Sequence, residues 1–86
     1  MKFVHCCQFV ADKEKIAEYR SQHHQYITDL RKMGKVVAAG PFADGTGALF
    51  VFDVIDRSDL EAIIADDPFT KGGVFAHCEI KELVFV

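Results

Sequence analysis

The segment KFVHCCQFV, residues 2–10, limits the fold of this chain more than any other stretch. It is dense in β-branched and aromatic residues, lacks glycine and proline, and reads as a β-strand. Side chains alternate across a strand. Lys2, Val4, Cys6, Gln8 and Val10 therefore share one face, and Phe3, His5, Cys7 and Phe9 share the other. Both faces carry apolar groups, so the segment reads as a central strand covered on both sides.

Downstream of this strand, helix and strand signals alternate. Asp12 offers an N-cap side chain with Glu14 in the next turn, and good helix formers run from there to Met33. Ile16, Tyr19, Tyr26, Ile27, Leu30 and Met33 fit a helical period, whereas the polar stretch Arg20–Gln25 interrupts it and suggests two shorter pieces with a bend near Ser21. Gly34 after Arg31-Lys32-Met33 is a helix stop. Lys35–Ala39 reads as a short strand ended by Gly40-Pro41, residues 42–47 as a loop, and Ala48–Ile55 as a strand apolar on both faces. Asp56 or Ser58 caps a second helix with Leu60, Ile63 and Ile64 on its apolar face. Asp66-Asp67-Pro68 ends that helix, because the residue before proline is pushed out of helical geometry. Gly72-Gly73 break the chain, and Val74–Val86 reads as a last strand with an irregularity near Cys78-Glu79.

The order β-α-β-β-α-β predicts an α+β, ferredoxin-like domain spanning residues 1–86: an antiparallel sheet with two helices on one face. Two helices leave the other face open. A second copy, packed sheet to sheet, is the economical cover, so a homodimer is expected.

Charge and composition exclude several classes. A net charge of −3 without a basic stripe argues against nucleic acid. No apolar run approaches the roughly 20 residues of a membrane span. The start Met1-Lys2-Phe3-Val4-His5 lacks a signal-peptide pattern, which makes a cytoplasmic protein the expectation. Cys6, Cys7 and Cys78 lack a C-x-x-C spacing and read as small buried hydrophobes, with no disulfide expected. His5, His23 and His77 lack metal-ligand spacing, and Asp44-Gly45-Thr46-Gly47 has no Gly-Lys-Ser/Thr after it, so neither a metal nor a nucleotide is expected.

The chemistry-bearing residues gather in two segments, Arg20-Ser-Gln-His23-His24 and Ala65-Asp66-Asp67-Pro68-Phe69. A carboxylate bonded to an imidazole fixes its tautomer and raises the basicity of its other nitrogen. Residues alone leave two readings open: a His–Asp dyad, or a surface histidine and a helix-ending aspartate. His24 projects about 100° from His23 around a helix and faces elsewhere. Arg20 either holds an anionic substrate group or is a solvated helix charge. Tyr26 either lines a pocket or sits in the core. Gly40-Pro41 turns the chain where a ligand would sit, and Phe69 anchors the turn after Pro68 on the substrate side.

Taken in order, Arg20-x-x-His23, Gly34, Val36-Val37-Ala38-Ala39-Gly40-Pro41, Ala65-Asp66-Asp67-Pro68-Phe69 and Gly73-Val74-Phe75 resemble the YciI-like (YCII-related) proteins through the whole chain. The resemblance implies a dimeric α+β barrel and an active site of one histidine and one aspartate, which fall by position on His23 and Asp67. One branch of that family dehydrochlorinates a chlorinated hydroxyhydroquinone, and the fold is shared with muconolactone isomerases. The loop of residues 42–47 is shorter here than in some relatives, and if it lines the pocket their substrates do not transfer.

The resulting expectation is a cofactor-independent enzyme. His23, oriented by Asp67, would do general acid/base work on a small cyclic or aromatic-derived substrate, by lyase, dehydrochlorinase-like or isomerase-like chemistry. Arg20, Tyr26, Gly40, Pro41 and Phe69 would bind that substrate. The alternative is a non-catalytic dimeric module that binds a small metabolite or a protein.

Overall fold

The computed structural model describes residues Met1–Val86. Strand β1 (Lys2–Phe9) leads into helix α1 (Lys13–Lys32), then β2 (Val36–Pro41), β3 (Gly47–Asp53), α2 (Arg57–Asp66), the short α3 (Pro68–Lys71) and β4 (Phe75–Leu83). The four strands form one antiparallel sheet in the order β2-β3-β1-β4. This is the ferredoxin-like α+β arrangement, and the doubly apolar strands β1 and β3 occupy its centre. No helix is long and apolar enough to cross a membrane.

Several boundaries differ from the sequence expectation, each for a local reason. Helix α1 is one unbroken helix of 20 residues. Its polar middle is a solvent face from which a single residue, His23, turns inward: Arg20, Ser21, Gln22, His24 and Gln25 are exposed. Asp12 caps it by accepting from the Lys15 N–H at 3.1 Å, and Gly34 closes it at φ 77°. Strand β2 runs through Gly40 and Pro41 instead of stopping before them, which an edge strand tolerates because proline lacks only an outward donor. Helix α3 is an addition to the expected elements. Asp67 caps it and Pro68 supplies its first position, where a missing N–H costs nothing. Strand β4 ends at Leu83 rather than Val86.

The irregularity lies not at Cys78-Glu79 but between Gln8 and Phe9 of β1, opposite the start of β4. Its effect is one of parity. Cys78 and Ile80 share the helix-covered face, so regular alternation would turn Phe75 away from it. The slip in register brings Phe75 to that face, where its ring stacks on Phe9 at 6.3 Å. Glycine at 47 has a separate cause: a Cβ there would fall on the Cys7 carbonyl oxygen.

The main core fills the space between sheet and helices, with Phe3, Cys7, Phe50 and Phe52 from the central strands meeting Ile27 and Leu30 of α1 and Leu60 and Ile63 of α2. A smaller cluster of Ile16, Phe69 and Val74 closes one end. The opposite sheet face carries no helix. Val4 and Cys6 pair there with Val51 and Leu49, and exposed Val37 lies at the irregular start of β2.

His5 is the exception in the core: it is 3 % exposed, with Phe50, Phe52 and Phe75 around its ring. Burial lowers its pKa from the ordinary 6.5, with the Asp67 charge pulling weakly the other way. The unfolded chain therefore takes up a proton at His5 as pH falls through 6.5, and the folded chain resists it. Stability contributed this way is complete above 6.5 and is lost as pH drops toward the lower folded value. Thermal melts at about pH 7.5 and about pH 5 should show the loss, and His5→Gln should narrow the difference between them. An unchanged difference in the variant would remove His5 from this role.

Candidate active site

Two local rules place Asp67 where it stands. Pro68 forces the preceding residue into extended geometry, and Asp67 has φ −64° and ψ 127°. That conformation ends α2 and starts α3 on the same residue, so the carboxylate becomes the N-cap of α3. Its Oδ1 accepts the Phe69 backbone N–H at 2.9 Å.

The same oxygen meets His23 Nδ1 at 2.7 Å, across 44 residues of chain. An ionised carboxylate only accepts hydrogen bonds, so Nδ1 is the donor and carries the proton. Both residues are 5 % exposed. The Phe69 ring lies parallel to the imidazole at 3.9 Å, and Phe50 meets it edge-on at 5.5 Å. His23 is thus clamped by a hydrogen bond at one nitrogen and by rings on its face. Nε2 has no protein partner, yet no buried side-chain nitrogen or oxygen is left unsatisfied, so this nitrogen opens onto free space.

That space is a cleft of about 460 Å³ between α1 and the β2 end of the sheet. Its floor is apolar: Phe9, Ile16, Ile27, Ala48, Phe50 and Phe69. Helix α1 contributes Arg20, His23, His24, Thr28 and Arg31, and β2 contributes Ala39, Gly40 and Pro41. No carboxylate lines it, and neither arginine forms an ion pair within the chain. The cleft is therefore apolar below and cationic at its mouth.

The structure brings His23, Arg20, Gly40, Pro41 and Phe69 to this cleft, with Asp67 directly behind His23. It does not bring Tyr26. The Tyr26 hydroxyl donates to the Ile63 carbonyl at 2.6 Å and ties α1 to α2. Burial, with the Asp66 and Asp67 charges adding to it, pushes that phenol up to about 12. Asp66 is exposed beside Lys71 at 3.7 Å. His24 does not face elsewhere: its ring sits 5.9 Å from His23 at the cleft mouth. Thr28 and Arg31 are cleft residues that the sequence reading missed. With Arg20 and His24 they occur at helical spacing, and that stripe of polar groups beside an inward histidine was the available signal. His5, His23 and His77 do not converge, for His77 is exposed beside Glu79. The metal-capable groups that do converge are His5, Cys7 and Cys78, whose ligand atoms lie within 4.8 Å of one another away from the cleft.

Comparison with solved structures finds the same fold in several proteins. The 5-chloro-2-hydroxyhydroquinone dehydrochlorinase TftG from Burkholderia phenoliruptrix AC1100, solved with 2,5-dihydroxybenzoquinone, superposes with a TM-score of 0.87 at 20 % identity, over 98 % of this chain and 94 % of that one. An antibiotic biosynthesis monooxygenase-like protein from Bacteriodes thetaiotaomicron VPI-5482 superposes at 0.62 with 16 % identity, over 99 % and 90 %. Rv0793 from Mycobacterium tuberculosis does so at 0.59 with 13 % identity, over 100 % and 96 %. No functionally curated protein matches the chain. The family model of the YCII-related domain matches residues 1–84, and the chain belongs to that family.

Proposed function

We propose that this protein is a general acid/base enzyme for small, anionic, ring-shaped substrates, in which His23 moves the proton and Asp67 positions His23. The observation that carries the reading is the buried 2.7 Å bond from His23 Nδ1 to Asp67, set under an apolar cleft with cationic side chains at its mouth.

The steps derive from the tautomer. With Nδ1–H held by Asp67, Nε2 carries the lone pair and acts as base. It removes a proton from the substrate, and the imidazolium formed is stabilised by the adjacent carboxylate. In an elimination, the electron pair of the broken C–H or O–H bond moves into the ring and a leaving group departs with its own pair. In an isomerisation, Nε2 returns the same proton to another carbon. Either needs one proton relay and no electron acceptor. A cleft of this volume lies within the roughly 300–1,000 Å³ typical of small-molecule sites. The flat rings of Phe50 and Phe69 suit a planar substrate, and Arg20 and Arg31 suit its oxyanions. The quinone held by the dehydrochlorinase of the same fold is of that class.

We further propose that the protein works as a homodimer, with the helix-free sheet face covered by a second copy. The support is Ala38 and Leu49, exposed on that face of one chain. Light scattering should return twice the chain mass, and the mass of one chain at micromolar concentration would contradict the proposal.

Turnover can be screened with chlorinated and unchlorinated hydroxyhydroquinones, by halide release and ring absorbance. Against a substrate so identified, His23→Ala should lower kcat about 10²- to 10⁴-fold with the fold intact by circular dichroism. Asp67→Asn should do the same by favouring the wrong tautomer, and unchanged turnover in both variants would exclude the dyad. Arg20→Gln and Arg31→Gln should instead raise KM several-fold with kcat little changed. Equal KM values would remove the arginines from substrate binding.

A further inference from the structure

Cys7 and Cys78 take no part in the cleft, yet the sheet register sets them directly opposite one another on β1 and β4. The Cys78 thiol donates to Cys7 Sγ at 2.8 Å. On the other side, His5 Nε2 lies 3.2 Å from the same Cys7 sulfur. His5 and Cys7 are two residues apart on one strand, so the alternation that makes both of them core residues also aligns imidazole, thiol and thiol. Cys7 is 1 % exposed, whereas Cys78 on the edge strand is half-buried. Cys6 belongs to the opposite sheet face, where it pairs with Leu49 and Glu79.

Sulfur separation and ligand number favour one of two uses of this trio. A tetrahedral zinc ion with bonds of about 2.3 Å to sulfur holds its two sulfurs roughly 3.8 Å apart. The sulfurs of Cys7 and Cys78 are already closer than that, at 2.8 Å. A disulfide needs about 2.05 Å, which small side-chain rotations supply. The trio also supplies three ligand atoms where a structural zinc site takes four, whereas a disulfide needs only the two sulfurs already in contact.

We propose that Cys7 and Cys78 are a peroxide-responsive dithiol pair, with His5 as the base for the buried Cys7 thiol. Cys78 passes its proton to Cys7 Sγ while Cys7 passes its own to His5 Nε2, along the line of contacts that joins the three groups. The Cys78 thiolate attacks the outer oxygen of a hydroperoxide, the O–O bond breaks, and the departing alkoxide (or hydroxide) recovers the proton from His5 through water and leaves as alcohol (or water). Cys78 is then a sulfenic acid. Cys7 passes its proton to His5 Nε2, its sulfur attacks the Cys78 sulfur, and the S–O bond breaks. The departing hydroxide takes the proton back from His5 and leaves as water. Two thiols and one hydroperoxide thus give one disulfide, one alcohol and one water. A small dithiol reverses the change.

The surroundings explain the division of labour. Burial raises the pKa of both thiols, so the pair rests protonated and both depend on His5 as base, Cys7 directly and Cys78 through Cys7. Burial also keeps His5 unprotonated and able to accept. The bond would fasten edge strand β4 to β1 one ring from the dyad. Phe75 lies edge-on to His5 at 5.8 Å and to His23 at 6.5 Å.

The test uses the Cys6→Ser variant, which leaves only the two thiols in question, treated with tert-butyl hydroperoxide, denatured and alkylated. Both thiols should disappear together and return with dithiothreitol, and peptide mapping should find Cys7 joined to Cys78 within one chain. Retention of both thiols, irreversible oxidation of Cys78 alone, or a link between two chains would overturn the proposal. In a folded His5→Gln, Cys6→Ser double variant, closure should slow at least several-fold and a dimedone-reactive sulfenic acid should build up at Cys78. A merely structural histidine would leave the closure rate unchanged, and that result would remove the base from the account.

Discussion

A single carboxylate oxygen, Oδ1 of Asp67, accepts two hydrogen bonds from elements far apart in the chain. One comes from the Phe69 backbone at 2.9 Å and the other from the His23 ring at 2.7 Å. The first starts α3 and aims the Phe69 ring. The second turns α1 so that its one inward polar residue meets that ring face to face. The geometry of the cleft floor, the tautomer of the histidine and the packing of α1 against α3 all pass through this atom. A buried carboxylate held in this way adds little to stability by itself, but removing the His23 donor leaves it short of one of its two hydrogen bonds, at a cost of about 1–3 kcal/mol. The arrangement is therefore rigid for the same reason that it is costly to break.

Beside this pair the sheet supplies one further buried polar group, His5, in an otherwise apolar layer. His5 and His23 both abut Phe50 and Phe75. His23 has a carboxylate and an open cleft, and His5 has a thiol and no opening of that size. The same imidazole group is thus set up for proton exchange with a ligand in one case and with a buried cysteine in the other. The difference lies in what each strand or helix position places beside the ring.

Much of the architecture was legible in the residues. The doubly apolar strands, the Asp12 and Gly34 helix signals and the Asp67-Pro68 break define the β-α-β-β-α-β order without any long-range information. His23 and Asp67 were identified as candidates by resemblance to a family, whereas the contact between them is a tertiary fact that no spacing contains. The misplaced details have physical causes. The polar run Arg20–Gln25 disguised a continuous helix because five of its six residues face solvent. Tyr26 lies near His23 in helical spacing, but its hydroxyl was drawn to the Ile63 carbonyl of a second helix. The opposition of Cys7 and Cys78 depends on strand register, which a one-residue slip at Gln8/Phe9 could have altered.

The central claim is that Asp67 holds the proton on Nδ1 of His23 and so leaves Nε2 to act. Nitrogen-15 NMR of the imidazole reads this directly. The account predicts a neutral His23 protonated at Nδ1, with a strongly downfield Nδ1 proton that is lost in Asp67→Asn while Nε2 remains bare in the unmodified protein. A His23 protonated at Nε2, with Nδ1 bare, would contradict it.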